Sequence, residues 1–293
     1  MVRSHGLFHD VYTAEGTIRC TARGRLKLDR RQTGGIAVGD RVTLELARSG
    51  EGVIETVLPR ERSLVRKGIL RGQPEQIILA NATKLLAVFS VAEPTPHLRM
   101  LDRFLVLADA HELEAAICVN KVDLDPTGIM REEFALYERI GYPVIYTSSR
   151  TGEGLEQLRA QLSDAIAVLA GPSGVGKTSL INRVANTQLA TSAVSEATGK
   201  GVHTTRGATL IPIGAGFVAD TAGIRALALA GVDRDELDLH FREFAPYLGK
   251  CRFPNCRHEG ELGCAITAAA ERDEIDPDRL ASYRTLRARF DED

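Results

Sequence analysis

The chain has 293 residues, of which 44% are hydrophobic and 26% charged, and its formal net charge is −2. This composition supports two or three domains with buried cores, so it excludes a disordered chain, a collagen-like fibre and a disulfide-stapled mini-protein. Every apolar run is shorter than the ~18 residues of a membrane span, and the first ten residues lack the apolar core of a secretion signal. We therefore expect a cytoplasmic protein without a membrane partner.

The first 74 residues are predicted to form a small β-barrel. Short alternating or β-branched runs at close spacing, separated by turn signals, are typical of a five-stranded barrel of the oligonucleotide/oligosaccharide-binding (OB) type. The five runs are 7–11, 17–22, 24–28, 41–46 and 52–58. Residues 60–76 follow as a basic linker.

This first segment is also the basic part of the chain, with 14 Lys and Arg against 8 Asp and Glu. Such a charge indicates a polyanionic partner, although a solvated basic surface would give the same pattern. Because the segment holds only two aromatic residues, Phe8 and Tyr12, contacts with the phosphates of folded RNA are favoured over base stacking.

From about residue 75, apolar runs of strand length alternate with amphipathic stretches of helix length. The runs are 85–91, 115–119, 144–147 and 166–170. Continuous apolar strands joined by helices predict a parallel α/β sheet that is covered on both faces. The chain turns helical near its end, so the predicted domains are 1–74, 75–226 and 227–293.

A phosphate-binding loop is predicted at residues 171–178, which match G-x-x-x-x-G-K-[ST] between an apolar strand and a helical run. Backbone N–H groups and the helix N-terminus would bind the phosphates, Lys177 would contact the β- and γ-phosphates, and Thr178 would bind Mg²⁺. The predicted nucleotide-binding residues here are Gly171, Pro172, Ser173, Gly174, Val175, Gly176, Lys177, Thr178 and Ser179.

Three further loops complete the predicted nucleotide site. Asp220 ends an apolar strand and would serve Mg²⁺, while the N–H of Gly223 would sense the γ-phosphate. In the sequence Asn-Lys-Val-Asp at 120–123, a carboxylate can accept hydrogen bonds from guanine N1–H and its amino group, which adenine cannot match. The loop after the next strand would bring a backbone N–H to guanine O6. The predicted base-site residues are Asn120, Lys121, Asp123, Ser148 and Ser149.

A metal site is predicted in the last domain, where Cys251, Cys256, His258 and Cys264 fall within 14 residues. Three thiolates and one imidazole complete a tetrahedral, closed site, so we expect one structural Zn²⁺. Reduced cysteines on a loop, without a metal, are the alternative.

The group that positions the attacking water is unusual. Many GTPases carry Gln directly after the glycine of the Asp-x-x-Gly motif, but this chain has Ile224, which cannot orient water. His203 is the nearest polar candidate, and Thr205, or its neighbour Thr204, should bind Mg²⁺ and the γ-phosphate. The predicted catalytic residues are therefore His203, Lys177 and Thr205.

The order of these motifs is permuted, because the base-reading loops at 120 and 147 precede the phosphate loop at 171. With a basic barrel in front and a Cys/His cluster behind, the chain resembles the RsgA (YjeQ) family of circularly permuted, small-subunit-dependent GTPases over essentially its whole length. The resemblance implies GTP hydrolysis to GDP and phosphate, a role in late maturation of the small ribosomal subunit, contact with its rRNA, and hydrolysis stimulated by that subunit. We expect a monomer.

The sequence is also compatible with two other functions. The phosphate loop alone would also fit an ATP-dependent kinase or ATPase, which Asn120 and Asp123 disfavour. Ile224 leaves room for an RNA-binding scaffold that holds a nucleotide with negligible turnover.

Overall fold

The N-terminal segment contains a five-stranded sheet. The computed structural model describes residues 1–24, 26, 35–47, 50–66, 76–187, 208–220 and 232–290. The strands are β1 (Arg3–His5), β2 (Phe8–Thr13), β3 (Gly16–Ala22), β4 (Val42–Leu46) and β5 (Gly52–Val57), in the order β1-β2-β3-β5-β4. Within the described residues no pairing joins β1 to β4, so closure of this sheet into a barrel stays a prediction.

One predicted strand of this sheet is wrong. In the run 24–28, the described residues Gly24 and Leu26 have helical backbone, and β1 supplies the fifth strand instead. β1 is three residues long and pairs antiparallel with β2 across a tight turn. A strand that short shows no alternating pattern in the sequence, because its hydrogen bonds to β2 define it.

The predicted linker at 60–76 also contains regular structure. β6 (Ser63–Arg66) pairs antiparallel with β7 (Gln76–Ala80) in a two-stranded sheet. Leu64 and Leu79 are buried there, so packing of these two side chains orders a stretch whose charge resembles a linker. The predicted boundaries after residues 74 and 226 fall outside the described residues and stay predictions.

The central domain is a six-stranded sheet in the order β10-β9-β8-β11-β13-β12. All neighbours in it are parallel except β12 and β13, which are antiparallel. Its strands are β8 (Lys84–Ser90), β9 (Glu114–Asn120), β10 (Val144–Tyr146), β11 (Ile166–Ala170), β12 (Thr209–Ile213) and β13 (Gly216–Asp220). The predicted α/β sheet is thus confirmed.

Helices cover both faces of the central sheet. They are α1 (Leu98–Ala110), α2 (Ile129–Ile140), α3 (Leu155–Leu162) and α4 (Lys177–Ala185). β8 is buried throughout, with Leu85 and Phe89 in the core beneath α1 and α2 and Leu86 and Val88 in the core beneath α3 and α4. Burial on both faces explains the continuous apolar run of this strand.

The C-terminal segment packs on the face of the central domain that carries α1. It contains two 3-10 helices, Arg234–His240 and Arg242–Phe244, followed by α5 (Ala265–Ala270) and α6 (Pro277–Ala288). Phe241, Phe244 and Tyr283 belong to the same buried cluster as Leu101 of α1. Each helix in the described part of the chain is too short or too polar to cross a membrane.

Candidate functional site

The phosphate loop lies between β11 and α4, as the motif predicts. All three glycines of the loop have φ angles that favour glycine, +148° at Gly171, +81° at Gly174 and +93° at Gly176. A Cβ atom at Gly171 would lie 2.0 Å from the backbone oxygen of Val88, so no other side chain fits there. Because α4 begins at Lys177, its first N–H groups and the positive end of its dipole face the loop.

Lys177 is folded back over this loop. Its Nζ atom donates hydrogen bonds to the backbone oxygens of Gly171 and Pro172, at 2.9 and 2.6 Å. These neutral acceptors hold the ammonium group where phosphate oxygens would bind, and charged oxygens are stronger partners for it. Thr178 and Ser179 follow in the first turn of α4.

Asn120 connects the loops predicted to read the base to the phosphate loop. It is fully buried at the carboxyl end of β9. Its Nδ2 atom donates to the backbone oxygen of Val175 at 2.8 Å, and its Oδ1 atom accepts from the N–H of Ser149 at 3.1 Å. One amide side chain therefore positions a residue of the phosphate loop and a residue of the loop after β10.

Asp123 lies beside that loop, in a short 3-10 helix that follows β9. Ser148 Oγ donates to its Oδ1 atom at 2.5 Å, and Arg150 Nε donates to its Oδ2 atom at 2.8 Å. The Ser148 hydroxyl, together with the Arg150 guanidinium, holds the pKa of Asp123 below its usual range. The carboxylate is thus charged and offers two acceptor oxygens, as guanine recognition requires.

The remaining predicted nucleotide residues divide into two groups. Lys121 Nζ contacts the backbone oxygen of Glu93, and Glu93 lies beside Gly174 of the phosphate loop. Asp220 is the last residue of β13, the strand beside β11, at the same edge of the sheet. His203, Thr204, Thr205, Gly223 and Ile224 lie outside the described residues, so the predicted catalytic arrangement stays a prediction.

The four predicted metal ligands come together at the C-terminal segment. One ligand atom from each of Cys251, Cys256, His258 and Cys264 lies within 4.8 Å of the others. His258 Nδ1 is 3.3 Å from Cys264 Sγ and 3.6 Å from each of the other two sulfurs. This donor set can hold a metal ion in a closed site, and three sulfurs with one imidazole nitrogen suit Zn²⁺.

The thiols of Cys264 and Cys256 have pKa values shifted in opposite directions. Burial opposes ionisation of the Cys264 thiol, but hydrogen bonds from Thr267 and His258 outweigh burial and lower its pKa to about 7. Burial and the neighbouring sulfurs raise the pKa of Cys256 to about 12. Besides burial, the raised pKa of Cys256 reflects the cost of placing thiolates next to one another, and a bound divalent cation would offset that repulsion.

Sequence reasoning missed two residues that contact these sites. Asp238 Oδ2 lies 3.2 Å from His258 Nε2, which orients the imidazole so that Nδ1 faces the sulfurs. The second residue is Arg150, whose Nε atom donates to Asp123 Oδ2. The acidic 3-10 helix Arg234–His240 and the arginine next to Ser149 were the available signals, but neither has a fixed spacing to the motif it serves.

The chain is similar to known proteins along its whole length. The sequence profile of the RsgA GTPase family matches residues 57–230, and that of the RsgA N-terminal domain matches residues 1–54. A protein named small ribosomal subunit biogenesis GTPase RsgA, from Gemmatimonas aurantiaca, is 42% identical over 98% of this chain and 95% of its own length. A protein of the same name from Caldanaerobacter subterraneus is 38% identical over 98% and 93%.

Solved structures give the same result for the fold. The crystal structure of YjeQ from Thermotoga maritima has a TM-score of 0.78 and 33% identity, and the match covers 99% of this chain and 96% of that one. The structure of YloQ, described as a circularly permuted GTPase, has a TM-score of 0.77 and 27% identity over 99% and 93%. The permuted motif order found in this sequence therefore has a structural counterpart.

Proposed function

This chain belongs to the RsgA GTPase family, and from that premise we propose that it binds GTP across the carboxyl ends of β9, β10 and β11. It is a GTP-hydrolysing enzyme of small ribosomal subunit biogenesis. The observation that carries the proposed site is Asn120, whose amide holds Val175 and Ser149 at once. A single nucleotide can then span the two loops, in the crevice at the strand ends where open α/β sheets bind their ligands.

In this proposal the base and the phosphates bind at opposite ends of the crevice. Asp123 accepts the guanine N1–H and amino hydrogens, and Ser148 keeps the carboxylate in place. The phosphates lie against the N–H groups of residues 174–179, and Lys177 exchanges its two backbone acceptors for β- and γ-phosphate oxygens. The charged state of Asp123 supports this assignment.

Hydrolysis depends on residues around the γ-phosphate. Thr178, Thr205 and Asp220 would hold Mg²⁺, which would supply positive charge beside the phosphoryl group. Lys177 stabilises the same charge, and His203 positions the attacking water in place of the glutamine that Ile224 replaces. Because Ile224 cannot hold water, hydrolysis should be slow until the small subunit orders His203.

The metal cluster is proposed to bind one structural Zn²⁺ through Cys251, Cys256, His258 and Cys264. The four converging donor atoms and the contact between Asp238 and His258 support this proposal. Metal binding would supply folding energy to residues 251–264, where the described structure consists of turns and bends.

We further propose that the basic N-terminal segment contacts rRNA of the small subunit, and that the protein works as a cytoplasmic monomer in late maturation. Arg3 on β1 and Arg19 on β3, the two strands that pair with β2, are both exposed. Their guanidinium groups could contact phosphates.

The proposed function is tested by GTP and ATP turnover with and without purified small subunits. We expect GTP hydrolysis that rises with added subunits and little ATP hydrolysis. Preference for ATP would support a kinase or ATPase, and tight GTP binding without turnover at saturating subunits would support a nucleotide-holding scaffold.

A further inference from the structure

The guanine-reading carboxylate is already paired within the chain. Asp123 has a buried partner and an exposed one: Ser148 is fully buried, whereas the Arg150 side chain is 75% exposed. The position of Ser148 Oγ is fixed by a second hydrogen bond, which it accepts from the N–H of Thr151 at 3.0 Å. Arg150 therefore contacts Asp123 from the solvent side, from which a base must enter.

The Arg150 guanidinium depends on this contact for its position. Among the described residues, Asp123 is the hydrogen-bond partner that the structure gives to Arg150, through Nε and Oδ2 at 2.8 Å. Guanine would present two donors, N1–H and the amino group, to the two oxygens of the same carboxylate. Ser148 can keep its bond to Oδ1 while guanine binds, but Arg150 occupies the approach to Oδ2.

We propose that Arg150 is an internal competitor of guanine: Arg150 pairs with Asp123 in the nucleotide-free protein and is displaced when the nucleotide binds. This inference rests on the proposed assignment of guanine to Asp123. Nucleotide binding then costs the free energy of the ion pair between Arg150 and Asp123. When GDP leaves, this ion pair forms again, and its free energy partly offsets the cost of losing the contacts to GDP. Arg150 is thus a specificity-site residue that weakens guanine-nucleotide affinity and favours exchange.

The expected size of the effect follows from the exposure of the pair. Ion pairs with one exposed partner contribute ~0.2–1 kcal/mol, so removing Arg150 should tighten GDP binding by roughly 1.4- to 5-fold. Salt screens such pairs, since the Debye length falls from about 10 Å at 0.1 M to about 3 Å at 1 M. The gain should therefore shrink as the salt concentration rises.

The test is titration of a fluorescent GDP analogue into the full-length protein and three variants, at salt concentrations between about 0.05 and 1 M. Arg150→Gln removes the charge and shortens the side chain but keeps it polar. Arg131→Gln is the matched control, because Arg131 forms a similar ion pair with Glu153 at 2.9 Å and its loss removes the same charge nearby. Asp123→Asn reports separately on the base site.

We expect Arg150→Gln to bind GDP more tightly than Arg131→Gln at low salt and equally at high salt, with unchanged melting temperatures. Weaker or unchanged GDP binding by Arg150→Gln would overturn the competitor role, provided that Asp123→Asn still loses affinity. If Asp123→Asn binds GDP like the parent protein, the proposed base site itself is wrong, and the two failures are thereby distinguished.

Discussion

Arg279 Nη1 lies 2.5 Å from Asp102 Oδ1, although 177 residues separate them in the sequence. Both side chains are at most 3% exposed. Tyr137 donates to the same carboxylate oxygen at 2.7 Å, and Glu243 accepts from Arg279 Nε at 2.6 Å. This buried network joins α6 of the C-terminal segment to α1 and α2 of the central domain, so it helps to attach the segment with the Cys/His cluster to that domain.

Arg279→Met should strongly destabilise the protein. The substitution leaves Asp102 and Glu243 buried without a cation, which typically costs ~3–5 kcal/mol when one partner of a buried pair is removed. Chemical denaturation measures the loss. Arg272→Met is the control, since Arg272 and Glu274 form an exposed pair whose loss should change the stability little. Equal stability of the two variants would show that the buried network is not what holds α6.

Asp123→Asn should weaken GTP binding by ~2–4 kcal/mol, because both hydrogen bonds from guanine lose a charged acceptor in a largely enclosed site. Xanthine nucleotides, which carry a carbonyl in place of the amino group, should gain relative affinity. Equilibrium binding of both nucleotides is the measurement, with the exposed Glu156→Gln as control. Unchanged GTP affinity would remove Asp123 from the base site.

Cys256→Ser should lower the zinc content from one atom per chain and loosen residues 251–264, because metal binding stabilises a segment with little core of its own. Nucleotide binding should persist, since the central sheet is intact. Elemental analysis and proteolysis report the two effects. Cys118→Ser, a buried cysteine of β9, should retain zinc. Full metal occupancy in Cys256→Ser would refute the ligand set.

Replacing Arg3 and Arg19 with Gln should weaken binding to small subunits and flatten its salt dependence. Each lost phosphate contact should reduce the slope of log K against log salt by about 1. Co-sedimentation over a salt series measures this slope. A double variant of two other exposed arginines, Arg139 and Arg272, with the same change to Gln, controls for net charge. Equal slopes for the two double variants would move the RNA contact elsewhere.

His203→Ala should keep GTP affinity within a few-fold but lose most of the rate that small subunits stimulate. Placement of the attacking water can change rates by ~10³–10⁵, the range over which arginine fingers act in other GTPases. Ile224→Ala should lose little, because an aliphatic side chain takes no part in the chemistry. The measurement is the rate of single-turnover GTP hydrolysis at saturating small subunits. If His203→Ala hydrolyses GTP at the rate of the parent protein, another group positions the attacking water.

Much of the central domain could be predicted from the sequence, because its signals are local. The apolar runs that became β8, β9, β10 and β11 are continuous since both faces of each strand are buried. The phosphate loop and the cysteine cluster have fixed spacings within fewer than 15 residues. The same reasoning failed at β1, where a three-residue strand leaves no periodic pattern, and at β6, where charged neighbours conceal a buried Leu64.

The sequence by itself determined which residues we predict to carry the chemistry: the loop with Lys177, Asp123 for the base, and four metal ligands. Only the tertiary structure decided what contacts them. Asn120 joins two loops, Arg150 pairs with Asp123, and Asp238 orients His258. Burial leaves a periodic record along the chain, but a hydrogen-bond partner leaves none. The partner of a polar side chain depends on strand order and helix packing, which bring residues together that are distant in the sequence. The burial of apolar surface drives that packing, and many different sequences could provide the same apolar surface.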